Sequence, residues 1–424
     1  MNIALLLLGP ANLHRNRWYL AALGLALMAT GAAIGFETHE TVTLVSLEAI
    51  GWILVAMGLA RIAFALLAGG ELAVLLGLRG LAFVVLGLAA ADYPLESGNA
   101  VPWLFGMALL MNGLYQVGSA LVIRYPGFGW LLISGGLHLG FGGMLFFRWR
   151  EAASWVVPLA LGAGVALLGL VMLRMALRLG SILPDIEEGG AQAAVRYFLE
   201  FHVAHRFHRR YLALPVGFRG HPDVGGAHGD LFVHVWTPTT VAKVERRFNP
   251  VSRYVAARDE AGKFAVGHAA MEMKPDVYIS HSDGDPTAFD SQEQVWQTLR
   301  SRDVPGVFRP SFEEEVASYM VPPASIRFRN FNEDQLRSFW SLYRAVDAYN
   351  FTNRNCSVAV AMALEAALMG SLARYRRIRN VLGLLWNKDL WVAHFIRLKA
   401  REMVWTPGMM LDYAAALQRV VEAE

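Results

Sequence analysis

Tyr349-Asn350-Phe351-Thr352-Asn353-Arg354-Asn355-Cys356-Ser357, followed by the apolar run VAVAMALEAALMG that ends at Gly370, contains the only cysteine of the 424-residue chain. A polar, Asn-rich loop gives way there to an apolar stretch. That pattern predicts a helix beginning at the cysteine, with Asn353 or Asn355 as its cap. The unpaired N–H groups and the dipole of a helix N-terminus favour a thiolate over a thiol. A lone cysteine at such a place is by itself a small core residue, so an activated thiol also needs a base. The candidate is His268, which interrupts the strand-like stretch FAVGHAAMEM (264–273).

Outward from this point the composition divides the chain. It is 55% hydrophobic and 17% charged, with a mean hydropathy of +0.36, too apolar for an ordinary soluble protein of this length. Residues 1–180 hold nine arginines, no lysine and seven acidic side chains, and the remainder holds the other 29 basic and 28 acidic ones. A membrane half followed by a soluble half is the expectation. The net charge of +3 and the lack of a basic stripe with interleaved aromatics exclude a nucleic-acid partner. One cysteine excludes an intrachain disulfide and a Cys-rich zinc site, and neither a metal nor a cofactor is expected.

Six apolar segments, near residues 18–36, 42–68, 72–91, 101–123, 127–147 and 153–177, each approach the ~20 residues that a bilayer crossing needs. Gly58-Leu59, Gly113-Leu114 and Gly169-Leu170 recur at spacings of 55 and 56, so three helical hairpins read as copies of one unit. Arg15, Arg17, Arg61, Arg79, Arg124, Arg174 and Arg178 fall at one set of helix ends. Glu37, Glu40, Asp92, Glu96 and Glu151 accompany Arg148 and Arg150 at the other. The positive-inside rule then puts both termini, and Cys356, in the cytoplasm. The opening MNIALLLLGP (1–10) is too short to span and reads as a surface or interfacial segment. With its Gly-rich paired helices and a proline after a hairpin's first helix, as in Ala91-Asp92-Tyr93-Pro94, residues 11–180 resemble the HdeD family of bacterial membrane proteins. That resemblance implies a stress-related role and supplies no catalytic residues.

Between the halves, AAVRYFLEFHVAHRFHRRYLAL (193–214) reads as a basic, aromatic juxtamembrane helix lying on headgroups. His202, His205 and His208 fall along one side of it, without a fourth ligand at a helpful spacing. Strands begin at Leu231. The hairpin FAVGHAAMEM and VYISHSD turns at Lys274-Pro275-Asp276. A type I turn with Pro275 second puts His268 opposite Asp283, and a two-residue loop puts it opposite His281. A three-residue loop turns His281 away. His281 or Asp283 is thus the candidate for orienting the imidazole of His268. Glu313, Glu314 and Glu315 read as a solvated helix start. Downstream of four arginines at 374–379, Trp386, Trp391 and Trp405 interleave with Leu, Lys and Arg. Two readings stand for that tail: a helix in the headgroup layer, or one facing the core of the soluble domain.

GHAAMEM, then VYISHSD, then an approach helix and YNFTNRNCSVAVAMALEAALMG resemble the permuted papain-like enzymes related to the NlpC family, in which the His precedes the Cys. Two branches are especially similar. Lecithin retinol acyltransferase relatives have a second His about one strand on, matched by His281. The Lnb-type lipoprotein N-acyltransferases have a similar Asn-Cys-Ser/Thr helix start. The resemblance implies catalysis by Cys356 and His268 with His281 or Asp283 third, and an oxyanion site at the backbone of Cys356 and Ser357.

The expected fold is an α-helical transmembrane bundle of six helices in three hairpin repeats, followed by an α+β permuted papain-like domain. Its divisions are a cytoplasmic segment 1–17, the bundle 18–180, a linker 181–230, the catalytic domain 231–372 and basic amphipathic helices 373–424. The expected function is a membrane-anchored cysteine hydrolase of the bacterial inner membrane. It would act through a thioester on a peptide, lipoprotein or phospholipid substrate beside the lipid bilayer. A thiol acyltransferase and a non-enzymatic stress protein are the alternatives, and the oligomeric state stays open.

Overall fold

The computed structural model describes residues 2–36, 100–182, 229–284 and 303–373 with short gaps, most of 383–422, and scattered positions within 48–91 and 195–212. The chain forms two compact units: Trp18–Leu121 with Gly127–Leu177, and Met1–Arg17 with Val122–Pro126 and Arg178–Glu424. The first helix, α1 (Asn2–Arg15), belongs to the second unit.

The helical unit contains α2 (Arg17–Phe36), α3 (Ala100–Ile123), α4 (Phe128–Phe147) and α5 (Trp149–Ile182), with scattered helical positions of the segments near 42–68 and 72–91. Among the described residues, Arg17–Phe36 and Phe128–Leu145 are long and apolar enough to cross a membrane. Large apolar side chains point outward, Trp130 at 77% exposure among them, the reverse of a water-soluble bundle. Glycines hold the interior together. A Cβ on Gly31 would lie 2.4 Å from the Gly162 carbonyl oxygen, and one on Gly162 as close to that of Gly31. Gly24 meets Gly169, Gly58 meets Gly80, Gly51 meets Gly87, Gly113 meets Gly135, and Gly142 meets Gly106 in the same way. Each helix thus carries two glycines seven residues apart. Backbones meet directly because no side chain intervenes. The 55-residue repeat is real, but these clasps join the second segment to the third, the fourth to the fifth, and the sixth back to the first. The hairpin order of the sequence is therefore not the packing order.

The second unit is built on an antiparallel sheet of order β5-β4-β1-β8, from β1 (Leu231–Trp236), β4 (His268–Met273), β5 (Val277–Ile279) and β8 (Ala324–Phe328). A small ladder pairs β2 (Ala257–Arg258) with β3 (Phe264–Ala265), and a third sheet has the order β6-β7-β9, with β6 (His281–Asp283), β7 (Val304–Phe308) and β9 (Ala348–Tyr349). Alternation assigns the faces of the main sheet. Trp236, Ala270 and Tyr278 lie on one side under Phe312, Met320 and Val241. Val233, Val235, Ala269, Met271 and Ile279 lie on the other and are fully buried. Around the sheet run α6 (Phe312–Ser318), α7 (Glu333–Tyr343), α8 (Cys356–Leu368), α9 (Lys388–Glu402) and α10 (Pro407–Val421). Every residue of α8 is buried, as a helix that is apolar on all sides must be.

The one charge in that helix, Glu365, is met by a bidentate Arg397 guanidinium of α9, with both contacts at 2.6 Å, and by the Tyr413 hydroxyl of α10 at 2.8 Å. A buried carboxylate is tolerable only with such partners. Leu390, Ala393, Ala400 and Trp405 are buried as well. The tail helices therefore face the core, and only Trp386, 88% exposed, keeps the character expected of a headgroup anchor. The arginines at 374–379 lie outside the described residues.

Helix α1 corrects a second expectation. Ile3, Leu6 and Leu7 are buried in the second unit, not spread on a surface. The helix breaks at Gly9, at φ 73°. Pro10 has no N–H, so the Leu6 carbonyl has no partner within the helix. It accepts instead from the Gly370 N–H at 3.0 Å, while the Leu7 carbonyl accepts from Leu372 at 2.9 Å.

Candidate functional site

The loop before α8 is fixed from several directions. The Asn350 side-chain oxygen accepts from the backbone N–H groups of Thr352 and Asn353 and from the Thr352 hydroxyl, a local turn that short polar amides form readily. Arg354 is buried, donates to the carbonyls of Tyr343, Val346 and Ala348, and stacks 3.9 Å from the Tyr343 ring centre. Asn355 is the cap: its Oδ1 accepts from Val358 N–H at 2.8 Å, and its Nδ2 donates to the carbonyls of Phe351 and Trp405. Cys356 opens the helix as its first residue. Its own N–H and that of Ser357 are among those a helix leaves without an intrahelical acceptor.

His268 begins β4, beside Ala269, whose N–H hydrogen-bonds the Cys356 sulfur. The preceding Gly267 has φ 74°, and a Cβ there would strike the Trp236 carbonyl oxygen. Only glycine permits that approach. The imidazole lies close enough to Cys356 for the charges of the two groups to act on one another. Its Nε2 faces the Ser280 hydroxyl at 2.9 Å and Glu315 Oε1 at 3.0 Å. Glu315 is in turn held by the Tyr278 hydroxyl, which donates to Oε2 at 2.5 Å.

Charge reinforces this geometry. Burial raises the thiol of Cys356, yet the adjacent imidazolium, the hydrogen bonds from His268 and Ala269 N–H, and the Ser357 hydroxyl outweigh it and hold the thiol below its usual value. Burial lowers His268, but the Cys356 thiolate and then Glu315 push it up to about 10. Burial also raises Glu315, and the His268 imidazolium, with Tyr278 and Ser280, brings it down to about 2. A thiolate, an imidazolium and a carboxylate in series form an activated nucleophile with an oriented base. Cys356 retains 7% exposure.

His281 and Asp283 stand elsewhere. The hairpin pairs Met271 with Ile279, Glu272 with Tyr278 and Met273 with Val277. That is the three-residue loop at Lys274-Pro275-Asp276, the register that turns His281 away. After Ser280 the chain leaves the main sheet, and His281 pairs with Phe308 and Asp283 with Gly306 in the third sheet. His281 is buried among Phe308, Tyr343 and Tyr349, with Nδ1 3.1 Å from the Tyr343 hydroxyl. Burial first, and the Arg354 charge second, lower it to about 3, so it is neutral at physiological pH. It supports the loop before Cys356 and does not orient His268.

Glu315 does that work, and the sequence reading placed it in solvent. Its signal was present. Ser311 caps α6 by accepting from Glu314 N–H, which makes Phe312 and Glu315 an i, i+3 pair on one face. Phe312 stacks on His234, ring centres 4.4 Å apart, so Glu315 turns inward with it while Glu313 stays exposed. His202 is buried beside Tyr197 and Phe198, and His205 and His208 lie outside the described residues.

Residues 78–147 match a family model described as a short repeat of unknown function (DUF308). That match supports a membrane domain in the first half. No curated protein and no solved structure matches the chain.

Proposed function

We propose that this chain is a membrane-anchored cysteine hydrolase with a permuted papain-like catalytic unit. The observation that carries the reading is the series Cys356, His268, Glu315. The thiolate attacks the carbonyl carbon of an amide or ester, and the oxygen becomes an oxyanion facing the N–H groups of Cys356 and Ser357. His268 gives its proton to the leaving amine or alcohol as the tetrahedral intermediate collapses to a thioester. Neutral His268, held by Glu315, then takes a proton from water. The resulting hydroxide equivalent attacks the thioester, and the acid leaves as the thiolate re-forms.

The bundle is proposed to cross the bilayer six times. Supporting this are six apolar segments and one folded unit that takes in the chain both before Trp18 and after Leu177; an even number of crossings returns the chain to the same side. Arg15, Arg17, Arg174 and Arg178 flank those points, and the positive-inside rule makes that side the cytoplasm of a bacterial inner membrane.

A second reading has an amine or a lipoprotein as acceptor in place of water, with a phospholipid as acyl donor. It is favoured by apolar side chains beside the site. Tyr319 is 44% and Val321 70% exposed. The Tyr319 ring lies 6.0 Å from that of Trp236, which is 5.7 Å from that of His268. Intact-mass analysis after incubation with phospholipid vesicles, and separately with lipopeptides, tests both readings. An acyl adduct on wild type that is lost in Cys356→Ala supports the thioester, and its transfer to an added amine selects the second reading. No adduct from any ester or amide donor overturns both.

A further inference from the structure

A second set of chemistry-bearing side chains lies on the same face of the main sheet as His268, and the reaction above uses none of them. Three adjacent strands supply it. His234 of β1 is central: its Nδ1 is 2.8 Å from the Ser325 hydroxyl of β8, and its Nε2 is 3.4 Å from Glu272 Oε2 of β4. Register explains the meeting. His234 and Ser325 are directly opposed, and Glu272, which opposes Phe232, is diagonal to His234 on the other side. The imidazole and the carboxylate are buried, whereas Ser325 is exposed on the strand that ends the order β5-β4-β1-β8. Phe312 covers the ring with centres 4.4 Å apart, and Phe232 stacks on it at 6.0 Å. Trp236 stands between this imidazole and that of His268, its ring centre 6.5 Å from the first and 5.7 Å from the second.

We propose that Ser325 is a self-acylating serine that takes an apolar acyl group from a carboxylic ester, with His234 as its base and Glu272 as the group that orients the base. The contacts set the tautomer. With the Nε2–H donated to Glu272, Nδ1 keeps its lone pair for the Ser325 hydroxyl proton. Burial lowers His234, helped by Lys274 and opposed by Glu272 and Glu315, so the ring is neutral at physiological pH. The backbone supplies an oxyanion donor. Arg329 N–H donates to Glu422 and not to β1, and the Trp236 carbonyl faces Gly267 on the β4 side. By alternation His234 turns its backbone to β4 and Ser325 turns its N–H out of the ladder, the kind of pair whose side chains come closest. The nucleophile's own N–H is one arm of the oxyanion site in serine hydrolases. Ser325 Oγ bonds to the ester carbonyl carbon as its proton passes to Nδ1. The oxyanion then collapses, the C–O bond to the alcohol breaks, and the alcohol leaves with that proton. What remains is an oxygen ester on Ser325 and a neutral imidazole, with the Phe232 and Phe312 rings beside the acyl group. None of this depends on Cys356.

The test treats the full chain in detergent with an alkyl fluorophosphonate, whose phosphorus takes the place of the ester carbon: a P–O bond forms, the P–F bond breaks and fluoride leaves. Adducts are read by intact mass and peptide mapping. The expected result is an adduct on Ser325 in wild type and in Cys356→Ala alike, and none on the same chain unfolded in urea. Ser325→Ala, a change at an exposed position, loses it. His234→Gln slows its formation about 100-fold or more, and Glu272→Gln slows it less. A folded wild type without an adduct on Ser325, equal labelling of the unfolded chain, or a wild-type rate in His234→Gln overturns the proposal. Labelling of Ser325 with no acyl-enzyme on Cys356 from any donor would leave this site standing and sink the cysteine hydrolase, so the two fail separately.

Discussion

The two units obey opposite rules for where apolar and polar atoms go. In the helical unit large apolar side chains face outward and glycine backbones meet inside. In the second unit aliphatic side chains fill the interior, and ionic or hydrogen-bonded groups are buried with them, among them Glu365 with Arg397 and Tyr413, Arg354 with its carbonyls, and Cys356 near His268 and Glu315. The difference teaches what each solvent demands. Lipid offers nothing to drive apolar side chains inward, so close backbone contact holds helices together. Water drives the apolar side chains in, and any charge taken along must be matched where it lands.

The sharpest way to break the comparison is at the site. His268→Ala removes the base and strands the thiol among buried groups, and the rate of acyl transfer to water should fall about 10⁴-fold. Hydrolysis of a chromogenic ester by purified protein measures it. Arg397→Met comes next: an uncompensated Glu365 in a buried helix should cost about 3–5 kcal/mol, read by denaturant unfolding of the second unit. In the other unit, Gly31→Leu forces side-chain atoms into the Gly162 backbone and should cost about 1–3 kcal/mol, read as lower thermal stability in detergent. Its catalytic rate per folded molecule should be unchanged.

Smaller in rate but more telling is Glu315→Gln. It should lower the rate about 10–100-fold and change the pH profile. His268 is raised in the folded protein, so its contribution to stability is complete below its unfolded value and is lost as pH rises through about 10. Activity should follow, with its alkaline limb near that pH and its acid limb below the usual thiol range. Removing Glu315 takes away part of what raises His268 and moves the alkaline limb down. Glu313→Gln, on an exposed side chain of the same helix, should leave the profile where it was.

What could be read from the chain alone was local chemistry. The Asn cap, the helix opening on Cys356, a strand carrying His268 and the 55-residue glycine repeat are each written within a few residues. What could not be read depended on distant geometry. Whether the hairpin turns over two, three or four residues decides which face His281 takes, and Lys274-Pro275-Asp276 is compatible with more than one. Three consecutive glutamates look alike until Ser311 and Phe312 set the phase of their helix. An apolar opening such as IALLLL is equally suited to a lipid surface or a protein core, and only the acceptor groups freed at Gly9-Pro10, matched by Gly370 and Leu372, tell which. The glycine repeat has the same gap, because spacing along the chain does not say that the sixth segment closes on the first.

The most direct test of the account is the pH dependence of Cys356 alkylation, since this is the chain's only cysteine and every event can be assigned to it. The apparent thiol value is expected to lie below that of free cysteine in wild type and to rise in His268→Ala, where the Ala269 N–H and Ser357 hydroxyl remain but the imidazolium that offsets burial is gone. A wild-type thiol that titrates at or above the free value, or that does not react until the protein unfolds, would contradict it.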